Sequence, residues 1–571
     1  MKNLKIIFFT GLILIIIFSV FLPCLKNDFV ALDDSAYITE IISLRHTSLQ
    51  SIKYIFTSFF LTMYQPLNRV SYLFESKFFG LNPFPYHLAN VILHLINCLF
   101  VFWLIYLLSG KIAISSIATI LFAIHPLRVE PVAWVSGRQD LLCALFFLLT
   151  IIYYCYYLRG RKINKYYYFS LVLFIFSLLS KAMAVTLPVI LIFVDYLFHR
   201  KPDKKMFLDK VPFFILSFVF GLVAIIGKYL SGALRSDNLA TLLNKFVIAV
   251  SSIAFYINKI LFPVKLSCFY PYYVIGGKPF FLYSLVVFTV LVIAMILSSR
   301  YTRKVVFGGA FFLVAILPVL QLVPINLSIA ADRYTYVSSI GLVYIIACGC
   351  VWVYTKRMKY TLWVNFFLSV LLITAIVTLS YLTWERCQVW RDDLTLWNDA
   401  LGNYVNVDLI YNNRGAAYSA KGNYNQAIAD YSKTIELNPN FFEAYDNRGI
   451  VYIHNGNYSQ AILDFTKAIE INHKYANAYY NRAGAYVNIN NYDKAISDFS
   501  KVIELEPGYC ADAYYGRAKA YWAKQEYDKA WQDIHIVEGL GFKIDPIFFK
   551  GLEKSNVPQG KKSKSIPILK Q

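Results

Sequence analysis

Negative charge is scarce in this chain. Of 571 residues only 34 are Asp or Glu, against 55 Lys or Arg, and residues 1–385 hold just 13 of the acids. Charged residues of both signs make up 16%, where an average globular chain has roughly 25%. Cysteine is present nine times but never as CxxC. Cys98, Cys143, Cys155, Cys348 and Cys350 sit inside apolar runs, where a thiol is a small apolar filler. These absences exclude a zinc site and an obligatory disulfide framework. What is abundant is apolar surface: 58% hydrophobic residues, with 46 Phe and 45 Tyr, and a mean hydropathy of +0.50. That excludes disorder, a collagen-like fibre and a single compact soluble fold. It points to a polytopic membrane protein with a smaller polar part. The formal charge of +21 lies in short runs between apolar stretches, as cytoplasmic loops carry it. A nucleic-acid partner is therefore not expected.

Twelve apolar stretches have near-spanning length: 4–22, 87–108, 112–132, 141–158, 166–184, 185–198, 211–230, 246–262, 280–297, 305–323, 334–354 and 360–383. The first follows Lys2 and Lys5, lacks an A-x-A site after it, and is long for a signal h-region, so it is expected to be a retained helix. With the N-terminus cytoplasmic, Arg159, Arg161, Lys162 and Lys165 fall inside, as do His199, Arg200, Lys201, Lys204 and Lys205. The clusters Arg300, Arg303, Lys304 and Lys356, Arg357, Lys359 also fall inside only if 246–262 does not cross. That stretch is short, holds Asn258 and Lys259, and ends at Pro263. The expectation is about eleven spans in a bacterial inner membrane, a long first outer loop at 24–86, and the C-terminal part outside.

From residue 408 the pattern changes to an internal repeat. Arg414, Arg448 and Arg482 are spaced by 34, with Arg517 following after 35; Ala427, Ala461 and Ala495 keep the step. This is the tetratricopeptide pattern of two helices per unit, each unit hiding its apolar face against its neighbours. Three clear units and a degenerate fourth fill 408–544, and the basic tail 551–571 reads as disordered. The fold class is all-α: a membrane helical domain over 1–400, then an α-solenoid.

Ionisable residues are costly near a bilayer and so informative. Nearly all of those that are candidates for function are expected on the outer face. Asp33 and Asp34 follow the first span. Paired carboxylates repel and suit a general base; they suit a loop turn or helix N-cap equally. His125, Arg128, Glu130, Arg138 and Asp140 crowd one block broken by Pro126 and Pro131. Their charges fit interfacial ion pairs. Arginines held outside against the positive-inside trend also fit phosphate binding. Lys181, Asp332 and Arg333 complete the set. Asn413, Asn447 and Asn481 recur at one repeat position, fitting either a ladder that reads a peptide backbone or plain pairing of the Asn-Arg dipeptide with Asp430, Asp464 and Asp498.

In their order, several motifs resemble one family. They are LDDSAY after the first span, PLNRVSYLFESKFFGLNPFPYHLANVILH before the second, LFAIHPLRVEPVAWVSGRQDLL, LLSKAMAVTLPVILIFVDYLF, LFPVKLSCFYPY, ADRYTYVSSIG, and WERCQVWRDDLTLW before the repeats. Residues 1–400 resemble the multi-spanning GT-C glycosyltransferases. The whole chain resembles the transmembrane, tetratricopeptide-containing O-mannosyltransferases. The resemblance implies inverting transfer of a mannose-like sugar from a polyprenyl-phosphate donor to a protein hydroxyl on the outer face. It implies a base at Asp33 or Asp34, donor-phosphate ligands among Arg128, Arg138 and Arg333, and supporting roles for His125, Glu130, Asp140, Lys181 and Asp332. The repeats would bind the acceptor. No metal or other cofactor is expected, because a single phosphate leaving group can be neutralised by arginine. Ala182 follows Lys181 where the animal relatives tend to have an acid, so no acidic role falls there. The alternatives are a lipid-linked oligosaccharide ligase and a non-catalytic membrane-anchored scaffold.

Overall fold

The computed structural model describes every residue except Met1, 45–48, 161–163, 231–241, 275–276, 321–327, 357–360, 508–510 and 555–571. The described residues are all-α. Two compact units form, Met1–Tyr404 and Val405–Gln571.

In the first unit seven helices are long and apolar enough to cross a membrane: Pro83–Ser109, Val135–Arg159, Lys204–Leu230, Asn244–Leu261, Pro279–Ser299, Asp332–Thr355 and Leu362–Val389. The pair Ile112–Ala123 and Pro126–Ala133, bent by 64°, makes an eighth if it is one span. Lys2–Phe21, Asn164–Ser180, Leu187–Leu197 and Arg303–Ile316, of 20, 17, 11 and 14 residues, lie at four further expected stretches and fall outside that set. The stretch expected not to cross is the helix Asn244–Leu261, which meets the same length and composition test. The chain is a multi-pass membrane protein.

Close approach of two of these helices depends on glycine. A Cβ on Gly341 would lie 2.2 Å from the carbonyl oxygen of Gly308, and one on Gly308 would lie 2.6 Å from that of Gly341. Helices Arg303–Ile316 and Thr335–Thr355 therefore cross backbone to backbone, the packing that small residues permit.

The stretch expected as the first outer loop carries a helical cap made of Asp34–Ser43, Leu49–Thr57 and Pro66–Phe79. Tyr37, Ile55, Tyr72, Leu73, Tyr86 and Val135 form its own small core. Buried Arg69 ties the cap together by an ion pair to Glu40 and by Nη1 bonds to the carbonyls of Ile55 and Ser58, at 3.0 and 3.1 Å.

The second unit contains the helix pairs predicted by the 34-residue step: Asp408–Ala420 with Tyr424–Leu437, Phe442–His454 with Tyr458–Ile471, Ala476–Asn488 with Tyr492–Leu505, and Ala511–Ala523 with Tyr527–Gly539. The tail expected to be disordered from 551 instead starts inside a helix, Pro546–Lys554, whose Leu552 is buried against Ala518, Ala530 and Ile534. Apolar cover for the last repeat is the physical reason. The rest of that tail, 555–571, lies outside the described residues.

Candidate functional site

The two carboxylates after the first helix have different fates. Asp34 starts the helix Asp34–Ser43 and is 1% exposed. Its Oδ1 accepts from the Ser136 N–H at 2.8 Å and the Ser136 hydroxyl at 2.5 Å; its Oδ2 accepts from the Val30 N–H at 3.2 Å. Burial pushes this carboxyl up to about 7, against those three bonds. Asp34 is a clamp that closes the loop onto the 135–137 turn. Gly137 makes that turn possible, since a Cβ there would lie 2.8 Å from the Pro131 backbone.

Asp33 is half-buried, and among the described residues its carboxylate accepts no hydrogen bond. Burial raises its pKa, and the charges of Arg333 and Lys228 oppose the rise. Lys228 closes the helix Val211–Leu230. No motif marks it in the sequence, where it reads as the end of an apolar run.

Arg333 links Asp33 to a cleft. Its Nη1 is ion-paired to Glu130 Oε1, and its backbone N–H donates to Glu130 Oε2 at 2.8 Å. The guanidinium lies 5.1 Å from the Trp134 ring and 5.0 Å from the Tyr334 ring. With 22% of its side chain exposed, it lines a cleft together with Asp140, Phe147, Met183, Ala184 and Tyr336. Lys181 donates to both oxygens of Asp140, at 2.7 and 2.8 Å, and lies 5.6 Å from the Tyr334 ring. Four of the residues singled out in the sequence therefore gather here: Glu130, Asp140, Lys181 and Arg333, and the charge of Arg333 reaches Asp33. The gathering is a charged head over apolar walls.

Others of the set are committed elsewhere. Every residue from 121 to 141 is buried, so His125–Asp140 is a bend packed inside the protein. His125 uses Nε2 on the Ile260 carbonyl at 2.9 Å and accepts from the Leu127 N–H at Nδ1, 3.2 Å. Arg138, 1% exposed, donates to Asn90 Oδ1 at 2.8 Å, Glu75 Oε2 at 2.6 Å, the Tyr86 carbonyl at 2.9 Å and Ser71 Oγ at 3.2 Å. It fastens the cap to the bundle. Arg128 is equally buried. It donates from Nη2 to Thr335 and Ser339 at 3.0 and 3.1 Å, with its guanidinium between the Phe122 and Tyr336 rings. Asp332 accepts from the Tyr270 hydroxyl at 2.6 Å. Glu75 and Ser136 escaped notice in the sequence because their partners lie 63 and 102 residues away.

In the repeats, the arginines pair with the aspartates expected to take the Asn-Arg dipeptides. Arg448 grips Asp464 through Nε and Nη2, both at 2.8 Å, and its Nη1 reaches Ser432 in the preceding unit at 2.9 Å. Arg482 and Arg517 repeat this with Asp498 and Thr466, and with Asp533 and Ser500. The asparagines run between units instead. Asn447 Nδ2 donates to Asn412 Oδ1 at 3.2 Å, and Asn481 Nδ2 to Asp446 Oδ1 at 2.9 Å. Asn413 Oδ1 accepts from Asn412 at 3.2 Å.

The tetratricopeptide repeat family matches at 409–441, 442–475 and 476–509. Beyond the repeats, a protein O-mannosyl-transferase of Caenorhabditis elegans is 24% identical over 446 residues, 74% of this chain and 61% of its own length. One from Mus musculus is 37% identical over 95 residues, 16% of this chain and 10% of its own. One from Xenopus laevis is 34% identical over 181 residues, 30% and 21%. The chain's homologues are protein O-mannosyl-transferases. The chain spans about three fifths of the worm homologue's length and a fifth or less of the two vertebrate ones. Among solved structures, MamA is 27% identical, covering 26% of this chain and 85% of its own with a TM-score of 0.25. The first tetratricopeptide unit of Spaghetti, bound to an HSP90 peptide, is 27% identical, covering 20% and 91% with a TM-score of 0.20.

Proposed function

We propose that the chain is a GT-C-like glycosyltransferase that moves a mannose-like sugar from a polyprenyl-phosphate donor to a protein hydroxyl. The observation that carries this is the cleft of apolar walls headed by Arg333, whose charge reaches the Asp33 carboxylate, a group that accepts no hydrogen bond among the described residues. The cleft walls suit the first isoprene units. Arg333 and Lys181 face the phosphate, exchanging part of their present pairing with Glu130 and Asp140 for it. Asp33 takes the proton from the acceptor hydroxyl as its oxygen attacks the anomeric carbon. The bond from that carbon to the phosphate oxygen breaks with its electron pair leaving on the phosphate, and the configuration inverts. No metal enters this scheme, since the leaving group carries one phosphate.

The acceptor is a protein segment laid along the repeats, whose Asn447 and Asn481 keep their Oδ1 atoms for its N–H groups. Asp33 and the repeats share the outer side of the membrane. The Asp28 N–H donates to the Arg391 carbonyl at 2.9 Å, so the ends of the first and last long helices of the membrane unit meet on one face.

The test is release of polyprenyl phosphate from polyprenyl-phosphate mannose by the purified full-length protein. Asp33→Asn is expected to slow turnover by about 10²–10⁴-fold with no change in melting temperature. Full turnover in that variant overturns the assignment.

A further inference from the structure

Residues 27–32, which lead to the base, are tied down from far along the chain. Asn27 Nδ2 donates to the Cys387 carbonyl at 3.2 Å, the Asp28 N–H to the Arg391 carbonyl at 2.9 Å, and the Ala31 N–H to Asp393 Oδ1 at 2.7 Å. On the other side of Asp33, Asp34 is clamped by Ser136. Asp33 therefore stands between two anchors, two residues after Ala31 and one before Asp34. Its own carboxylate is held by no hydrogen bond among the described residues, so its place is set by those anchors.

The 387–403 segment is built to hold still. Trp390 is 1% exposed, with its ring 6.2 Å from that of Trp134. Asp393 opens the helix Asp393–Asn403, whose start is fixed by a reciprocal cap: the Thr395 N–H donates to Asp392 Oδ1 at 2.9 Å and the Asp392 N–H to Thr395 Oγ1 at 3.1 Å. Arg386 and Asp399 brace it at 2.5 Å. The Ala31–Asp393 bond itself lies at the surface, where one hydrogen bond adds little to global stability. What it restrains is the path of the chain into Asp33.

We propose that Asp393 is a positioning residue for the Asp33 base, acting through the Ala31 N–H. The proposal rests on the sugar-transfer reading above. Removing the bond frees the 28–33 segment to shift, and a misplacement of about 1 Å in a catalytic group can cost 10²-fold.

Full-length protein in detergent is assayed for kcat and donor KM with polyprenyl-phosphate mannose. Asp393→Ala is expected to lower kcat about tenfold, with donor KM and melting temperature near wild type. Asp393→Asn, which keeps an acceptor oxygen, is expected to stay within about threefold. Added to Asp33→Asn, the alanine change is expected to cost nothing further, because it acts only through Asp33. Should Asp393→Ala fail to fold, Asp393→Glu, which displaces the carboxylate by one methylene, replaces it with the same expected fall in kcat. Unchanged kcat in a folded Asp393→Ala or Asp393→Glu variant overturns the proposal. So does an Asp393→Asn variant as impaired as the alanine, or an additive loss on top of Asp33→Asn. Full activity of Asp33→Asn alone removes the base assignment instead, which separates the two failures.

Discussion

At the residue scale, adjacent acids divide their labour by what donates to them. Asp34 is saturated by Ser136 and Val30, whereas Asp33 keeps open lone pairs and feels two cations. The sequence left the two indistinguishable. Ser136, 102 residues away, breaks the tie. The same division carries a pH prediction. A base works when ionised, so kcat/KM should fall as pH drops through the Asp33 pKa, and burial puts that acidic limb above the ordinary carboxylate range. Lys228 favours the ionised form. Lys228→Met should therefore move the acidic limb to higher pH while leaving the plateau rate near wild type, as read from a pH–rate profile. A limb that stays in place, or moves down, contradicts the pairing.

At the element scale, two helix contacts decide stability in different ways. The Gly308–Gly341 crossing has no room for a side chain. Gly341→Leu must force the two helices apart, costing about 1–3 kcal/mol as overpacking does, visible as a lower melting temperature in detergent. The repeats rely on charge instead. Arg448 is bidentate to Asp464, 5% exposed, and bridges to the unit before it. Arg448→Ala leaves that carboxylate unpaired and should cost about 3 kcal/mol. Faster amide exchange in the helices from Phe442 to Ile471, with the membrane helices unchanged, is the check. Arg448→Lys should restore little of it, since an ammonium cannot form the fork. The 34-residue step exposed the arginines and offered Asp430, Asp464 and Asp498 as their partners, whereas the bridge from Arg448 to Ser432 in the unit before appears only once the helices pack.

For the whole molecule, the surviving question is which side each end faces. Hydrogen bonds from Asn27, Asp28 and Ala31 to the segment 387–393 put the Asp33 loop and the end of the last long helix on one face of the membrane unit. A reporter active only outside the cytoplasm, fused after Gln571, should be active. A silent fusion, with a cytoplasm-specific reporter active at the same point, would reverse the topology and remove the repeats from the acceptor side.

Composition and periodicity by themselves determined the all-α class, the run of apolar helices, the repeats and their phase, because each follows from short-range spacing of apolar and small residues. They also drew attention to Asp33 and Arg333, since charge beside a bilayer is rare enough to be noticed without a structure. Only the tertiary structure decided that Arg128 and Arg138 are held by buried partners, that Asp34 is a clamp, and that Asp393 bonds the Ala31 N–H two residues before Asp33. Those roles depend on which donor meets which acceptor across 48 to 362 residues of chain, and such encounters leave no periodic trace in a sequence.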